Sequence, residues 1–453
     1  MIELKKLKHV HFIGIGGISM SALAMMLKNM GISVSGSDFH VSPTTQYLSE
    51  QGIAVAFGHA PENVPTNTDL IVYTAAIAED NPEYLYAKNH GIAELSRAKL
   101  LGQIMAEYQK SIAVAGTHGK TTVTSMLSCI LMAAELDPTI TVGAYLDALK
   151  ANYRIGNSDY FLLEACEYCN SFHNFFPNIS IILNVSEDHL DFFKNLADIE
   201  DSFHQFENNT QDLLILHASL LDRPRLANDL TAKIISFGEG GDYHADNVRY
   251  QANGAPEFDV FHQNNELGHI ALSVFGNHNI ANALAAIATA DSLGIPFSAI
   301  AQGLSEFHGA ERRFQLKGNF AGIAVYDDYA HHPEEIAATL EAIKQVPHNK
   351  LWLIFQPHTY SRTKLLFEEF VQVLSTADNL ILADIYAARE KNSYGISSKN
   401  LADAIRVHNP STNYFETFDE IENFILSQAE PGDMLITMGA GDIYFVGEAL
   451  LHF

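Results

Sequence analysis

The sequence predicts an α/β protein built on parallel sheets, with antiparallel hairpins added near its middle. Three observations support this reading. The 453 residues exceed what one core usually sustains, so two or three domains are expected. Short apolar runs alternate with helical patterns in three successive cycles, the mark of βα units. Polar or glycine-rich residues follow the apolar runs, and in open α/β sheets ligands collect outside those carboxyl ends.

The first cycle begins with a strand from Val10 to Ile15, continues through a helix from about Ile18 to Met30, and returns to a strand at Ser33 to Gly36. Apolar runs at Leu70 to Tyr73 and Ile92 to Leu95 extend the sheet. A helical stretch from Arg97 to Tyr108 ends in polar residues, which puts the first boundary there and gives a domain over 1–108. The pattern restarts at Ser111, with strands near Tyr160 to Leu163, Ile179 to Val185, Leu213 to Leu216 and Lys233 to Phe237. Residues 242–275 alternate polar and apolar side chains between turn formers, as antiparallel hairpins do. An alanine-rich helix from Gly276 to Leu293 follows, and the central domain is expected over 109–311. The third cycle, over 312–453, has strands at Ile323 to Tyr326, Leu351 to Phe355, Leu380 to Ile385 and Met434 to Met438.

Charge excludes some functions. The formal net charge of −27 opposes a general nucleic-acid or anionic-membrane surface, which needs basic patches. No apolar run approaches the ~18 residues that span a bilayer. The N-terminus lacks the apolar core of a signal peptide, so a cytoplasmic protein is expected, as a monomer or a homodimer. An acidic chain that binds an anion must concentrate its cations, which singles out Lys120, the Arg312-Arg313 pair, Arg362 and Arg389. Three cysteines make no disulfide framework. Cys166 and Cys169 form one CxxC without a second ligand pair, which reads as incidental.

The most informative stretch is AVAGTHGKTT, Ala113 to Thr122. A hydrophobic strand runs into a turn of Gly116, Thr117, His118 and Gly119, then Lys120, Thr121 and Thr122 at a helix start. Glycines let backbone N–H groups surround phosphate oxygens, the lysine adds charge, and the threonine hydroxyl suits Mg²⁺. The turn is shorter than GxxxxGK[ST], because Val114 occupies the place of the first glycine. An earlier cluster of Gly14, Gly16 and Gly17, with Asp38 after the next strand, resembles a dinucleotide fingerprint but has Ser19 in place of the third glycine. A nicotinamide cofactor, a UDP-type nucleotide and a plain turn all fit it.

Beyond the loop, Glu164 ends a strand, and Glu187, Asp188, His189 and Asp191 follow another. Oxygen and imidazole groups at strand ends suit a Mg²⁺ shared with a triphosphate. GNHNIAN places Asn279 and Asn282 at a helix start, where Asn279 is either a cap or an adenine contact. Arg312-Arg313, VYDDYAHHP with Asp327 and His331, PHTYSRT with His358 and Arg362, and YAARE gather arginine and histidine at later strand ends, which suggests an anionic substrate.

Taken in order, GTHGKTT, the glutamate segment at Glu164, NVSEDHLD, GNHNIAN, RRF, VYDDYAHHP and FQPHTYSRT resemble the Mur ligases over nearly the whole chain, and most resemble their alanine-adding branch. The resemblance implies an N-terminal Rossmann-like domain for a UDP-sugar, a central P-loop ATPase and a C-terminal Rossmann-like domain for the amino acid. Its implied substrates are UDP-N-acetylmuramate, L-alanine and ATP, and it resolves the first glycine cluster in favour of UDP. It implies Lys120 on the ATP phosphates, Thr121 and Glu164 on one Mg²⁺, and His189 on a second. It places Asn279 and Asn282 near adenine, Arg313 near the phosphates, Asp327 near the nucleotide, and His331, His358 and Arg362 on the amino-acid side. His331 is the candidate proton acceptor. The stretch DSFHQFENN lacks the lysine that sister ligases carbamylate. Other readings are the ligase that returns a tripeptide to the same muramate, a nicotinamide oxidoreductase, and a nucleotide-gated binding protein without chemistry.

Overall fold

Why the chain makes parallel sheets is visible in its strands. His9–Ile13, Ile179–Ile182, Leu351–Phe355 and Met434–Met438 are buried at every position, and strands covered on both faces read as near-continuous apolar runs, broken in the first of these by His9 and His11, whose rings pair with Thr68, Ser35 and Glu83. In the computed structural model, residues 2–74, 77–190, 192–388 and 390–452 are described. Asp191 and Arg389 lie outside these residues.

The first sheet has the order Ala54–Phe57, Ser33–Asp38, His9–Ile13, Leu70–Tyr73, Ala93–Ser96, all parallel. Its order reverses beside His9–Ile13, so the glycine turn that follows this strand opens at the sheet's switch point. The helix Ile18–Asn29 packs Met20, Leu23, Ala24, Met26 and Leu27 inward. The second sheet centres on Lys110–Ala115, flanked by Tyr160–Glu164 on one side and Ile179–Ile182 on the other. Leu213–His217 and Lys233–Phe237 continue it in parallel. A hairpin of Thr139–Leu146 and Ala151–Arg154 closes its other edge. That hairpin is absent from the sequence expectations.

The chain folds as two compact units that interleave in sequence. One holds residues 1–186, 196–242 and 285–303, and the other holds 187–195, 243–284 and 304–453. In the second unit, Tyr243–Tyr250, Pro256–His262 and Asn265–Ala271 pair antiparallel, as the alternation over 242–275 predicts. The third sheet runs Gln315–Phe320, Ile323–Asp328, Met434–Met438, Leu351–Phe355, Asn379–Leu382, Thr412–Tyr414. Its first strand is antiparallel and the others are parallel. One face is filled by Leu353, Phe355, Phe370, Leu380 and Ile436, and the other by Trp352, Ile354, Ile381, Leu435 and Val446.

Candidate active site

In the first unit the loop Gly116–Gly119 joins the buried strand Lys110–Ala115 to the helix Lys120–Ala133. Gly116 has φ +142°, and a Cβ there would sit 3.0 Å from the Leu183 side chain and about as close to two backbone nitrogens. Gly119 has φ +85° and is the helix N-cap. Side-chain-bearing residues are disfavoured at both positions, so the glycines are set by geometry. The helix start turns N–H groups without intrahelical acceptors toward the loop.

Asn184 clamps this loop, a role that motif reading assigned to no residue. The Thr117 N–H donates to the Asn184 carbonyl at 3.1 Å. The His118 N–H donates to Asn184 Oδ1 at 2.8 Å, and Asn184 Nδ2 donates to the His118 carbonyl at 3.0 Å. Ser186 N–H donates to Thr117 Oγ1 at 3.0 Å. Thr122 is half-buried in the first helical turn.

Val114 pairs with Glu164 across the sheet, so Glu164 ends its strand beside the loop. Thr121 Oγ1 donates to Glu164 Oε2 at 3.0 Å, and the Gly143 N–H donates to the same oxygen at 2.9 Å. A Cβ at Gly143 would fall 2.7 Å from that carboxylate. A hydroxyl and a carboxylate side by side at a phosphate loop form a hard-oxygen pair that fits Mg²⁺. Lys120 Nζ donates to the Gly116 and Thr117 carbonyls and to Glu167. Burial alone would depress this ammonium, but the Glu167 carboxylate outweighs it and holds Lys120 above an ordinary lysine.

At the first glycine turn, the N–H groups of Gly14 and Ile15 donate to the Ser37 carbonyl, and the Gly16 N–H donates to Asp38 Oδ2 at 2.8 Å. Gly17 is the N-cap of the following helix. Arg97 Nη1 donates to Ser19 Oγ at 2.9 Å. A cavity of about 240 Å³ lies in this unit between Ser19 and Arg97 on one wall and Gly143, Glu164 and Cys166 on the other. Arg97 was not among the cations singled out by motif; only the fold brings it to Ser19. Burial pushes the Cys166 thiol up to about 11, so it is not a thiolate at neutral pH.

The second unit gathers another group. Arg362 Nη2 donates to Asp188 Oδ1 at 2.9 Å, with the two side chains 13% and 11% exposed. Arg362 Nη1 lies 3.1 Å from His358 Nδ1. An arginine can only donate, so that nitrogen accepts. Burial opposes ionisation of Asp188, yet the Arg362 cation holds its carboxyl well below the usual carboxylate range. His189, at φ +52°, belongs to this group, with Nε2 3.8 Å from Asp188 Oδ2. His331 Nδ1 lies 2.9 Å from the Tyr329 carbonyl, which can only accept, so Nδ1 carries the proton and Nε2 the lone pair. The His331 and His358 rings are 5.7 Å apart. Burial lowers both to about 4.

The arginine pair divides. Arg312 Nε donates to Asp327 Oδ2 at 2.8 Å, its terminal nitrogens donate to the Gly439 and Gly441 carbonyls, and its plane lies over the Tyr329 and Tyr444 rings. Asp327 is 1% exposed and also accepts from Thr437 Oγ1. Arg313 is the more accessible of the two, with its side chain 31% exposed and 3.8 Å from Glu335. Asn279 is not a helix cap: it sits inside the helix His278–Ser292, and its Nδ2 donates back to the Phe275 carbonyl. Asn282 Nδ2 donates to Asn279 Oδ1 at 2.9 Å.

Parallel sheets with a phosphate-binding turn, an adjacent hydroxyl–carboxylate pair and clustered arginines define a multidomain α/β enzyme that uses a nucleoside triphosphate. Three family models cover the chain: Mur ligase family, catalytic domain over 9–109; Mur ligase middle domain over 114–290; and Mur ligase, glutamate ligase domain over 312–441. The chain belongs to the Mur ligase family. It is 50% identical to the UDP-N-acetylmuramate–L-alanine ligase of Agathobacter rectalis, over 99% of each chain. It is 49% identical to the enzyme of that name from Lachnospira eligens, over 98% of each. The crystal structure of the UDP-N-acetylmuramate-alanine ligase of Thermotoga maritima matches with a TM-score of 0.81 at 30% identity, over 98% of both chains. A murein peptide ligase from Psychrobacter arcticus matches at 0.70 and 27%, also over 98% of both.

Proposed function

We propose that this enzyme joins L-alanine to the carboxylate of UDP-N-acetylmuramate, converting ATP to ADP and phosphate, in the cytoplasm and without a nucleic-acid or membrane partner. The observation that carries the reading is the Lys120, Thr121 and Glu164 constellation at adjacent strand ends, in a chain half identical to ligases of that name. A carboxylate is a poor electrophile. Its oxygen attacks the γ-phosphorus, the bond to ADP breaks, and an acyl phosphate results. The alanine nitrogen then bonds to the acyl carbon, the C–O bond to phosphate breaks, and one proton leaves the nitrogen.

Both steps collect negative charge, so the protein acts mainly by positioning and electrostatics. Lys120 and the helix start, with Thr122 in its first turn, hold the triphosphate, and Thr117 and His118 set the shape of the loop through their bonds to Asn184. Thr121 and Glu164 would hold Mg²⁺, with His189 on a second ion, and the metal supplies charge neutralisation between the phosphates. Gly14, Gly16, Gly17 and Asp38 form the UDP-side turn, with Arg97 as its cation. Asn279 and Asn282 face the base, Arg313 the phosphates, Asp327 fixes Arg312, and His358 and Arg362 serve the amino acid. His331 is neutral at pH 7 and weakly basic, which suits taking a proton from the acidic addition product rather than from free ammonium.

The deciding experiment measures phosphate release with UDP-N-acetylmuramate and Mg-ATP against L-alanine, glycine, L-serine and the tripeptide L-alanyl-γ-D-glutamyl-meso-diaminopimelate. L-Alanine should give the highest kcat/KM, with one amide per phosphate. Preference for the tripeptide would make it a recycling ligase, and no amine-dependent release would refute ligation.

A further inference from the structure

Glu167 stands three residues past Glu164, and its geometry differs from that of Glu164. Glu164 takes the Thr121 hydroxyl and the Gly143 N–H. Both oxygens of Glu167 lie on Lys120 Nζ, at 2.9 and 3.1 Å, and Glu167 is 2% exposed. The same ammonium also donates to the Gly116 carbonyl at 2.5 Å and the Thr117 carbonyl at 3.0 Å. An ammonium has three protons, and these acceptors already claim all of them.

The backbone holds Glu167 in this place. The Ala165 N–H donates to the Val114 carbonyl at 2.8 Å, which ties the strand exit to the loop strand. Two consecutive non-glycine residues after it, Cys169 at φ +52° and Asn170 at φ +53°, are left-handed, a conformation that surrounding contacts must enforce. They do so here: the Asn170 N–H donates to the Glu167 carbonyl at 2.9 Å, and Ser202 Oγ of the helix Leu196–Asn208 donates to Asn170 Oδ1 at 2.6 Å.

The geometry points to Glu167 as a positioning residue that competes with phosphate for Lys120 and so limits how tightly the loop holds its nucleotide. A phosphate oxygen gains the ammonium only as the carboxylate yields it, and the carboxylate adds like-charge repulsion against a terminal phosphate. Moderate affinity favours turnover, because ADP must leave once the acyl phosphate has been consumed. This inference rests on the reading of the loop as an ATP site.

The test is titration calorimetry on the full chain with the Mg²⁺ complex of β,γ-imido-ATP, comparing wild type, Glu167→Gln and Glu167→Asp. Glutamine keeps a hydrogen-bond acceptor but loses the charge, and aspartate draws the charge back. Both should bind the analogue more tightly, glutamine by about fivefold to tenfold, with slower ADP release and a lower kcat. Structural damage would weaken binding, so the direction of change is diagnostic. Equal or weaker binding by both variants overturns the competition. A wild-type chain that fails to bind the analogue overturns the ATP reading and this inference together.

Discussion

Acidification should loosen the second unit through its buried histidines, and His331 lets the effect be isolated. Its side chain is 16% exposed, and burial lowers it from 6.5 to about 4, with the Glu335 and Asp188 carboxylates opposing the shift and the Arg362 cation adding to it. A histidine depressed in the fold contributes stability that is present above its unfolded value and lost as pH falls from 6.5 toward about 4. The full shift corresponds to about 3 kcal/mol, of which about 2 kcal/mol is lost between pH 7 and pH 5. His278 and His358, also lowered to about 4, act in the same direction. Asp328, which burial raises to about 6, gains its proton in the same window and offsets about 1 kcal/mol. Because these groups remain in both proteins, comparing wild type with His331→Gln cancels them. Glutamine does not titrate, and its amide can still donate to the Tyr329 carbonyl. Two units make a single global unfolding free energy ill-defined. The readout is therefore amide hydrogen exchange in the strand Ile323–Asp328 and the helix Pro333–Ile343, corrected for the intrinsic pH dependence. Wild type should lose about 2 kcal/mol more protection than the variant between pH 7 and pH 5. Equal losses in the two proteins would refute the reasoning.

Other perturbations test the remaining groups. Lys120→Ala should slow alanine-dependent phosphate release by on the order of 10³-fold or more, and near-wild-type turnover would remove the lysine from the phosphates. Glu164→Gln should raise the Mg²⁺ concentration for half-maximal rate by about 10- to 100-fold, while an unchanged requirement would place the metal elsewhere. Arg362→Met leaves Asp188 buried without its cation and should cost the second unit about 3–5 kcal/mol of amide-exchange protection. Adding Asp188→Asn should recover most of that loss, and additive losses would show that the pair does not act as one.

The parts of this protein most legible in its sequence are those where local chemistry forces the structure. The glycines of GTHGKTT announce the phosphate loop because each sits where a side chain would meet backbone or need an unfavourable φ. Glu164 is legible as a strand end because the apolar run before it is unbroken. The hairpin Thr139–Leu146 with Ala151–Arg154 escaped notice because its turn lacks the Asn-Gly or Asp-Gly signature. Its importance lies in Gly143, whose approach to Glu164 is long-range. Arg312 and Arg313 are equivalent as text. Only the fold shows that one is saturated by carbonyls, a carboxylate and two rings while the other keeps a partly exposed fork. The grouping of Glu187 to Asn195 with the second unit follows from contacts such as Asp188 with Arg362, 174 residues away, which no local pattern encodes.

A chain of net charge −27 that works on phosphates and carboxylates must keep its cations from being neutralised by the wrong anions while holding them in place. The structure answers with specific pairing: Lys120 with Glu167, Arg312 with Asp327, Arg313 with Glu335 and Arg362 with Asp188. Each pair fixes a long side chain that would otherwise lose rotamer freedom on meeting substrate. Each also leaves the local field near neutral, so an entering anion gains affinity only by displacing or sharing a carboxylate. The degree of pairing then separates roles. Arg312, with every donor arm engaged and its carboxylate 1% exposed, is a fixed support. Arg313, 3.8 Å from its partner and partly exposed, can turn to a ligand at little cost, because a loose pair of that kind contributes only about 0–1 kcal/mol.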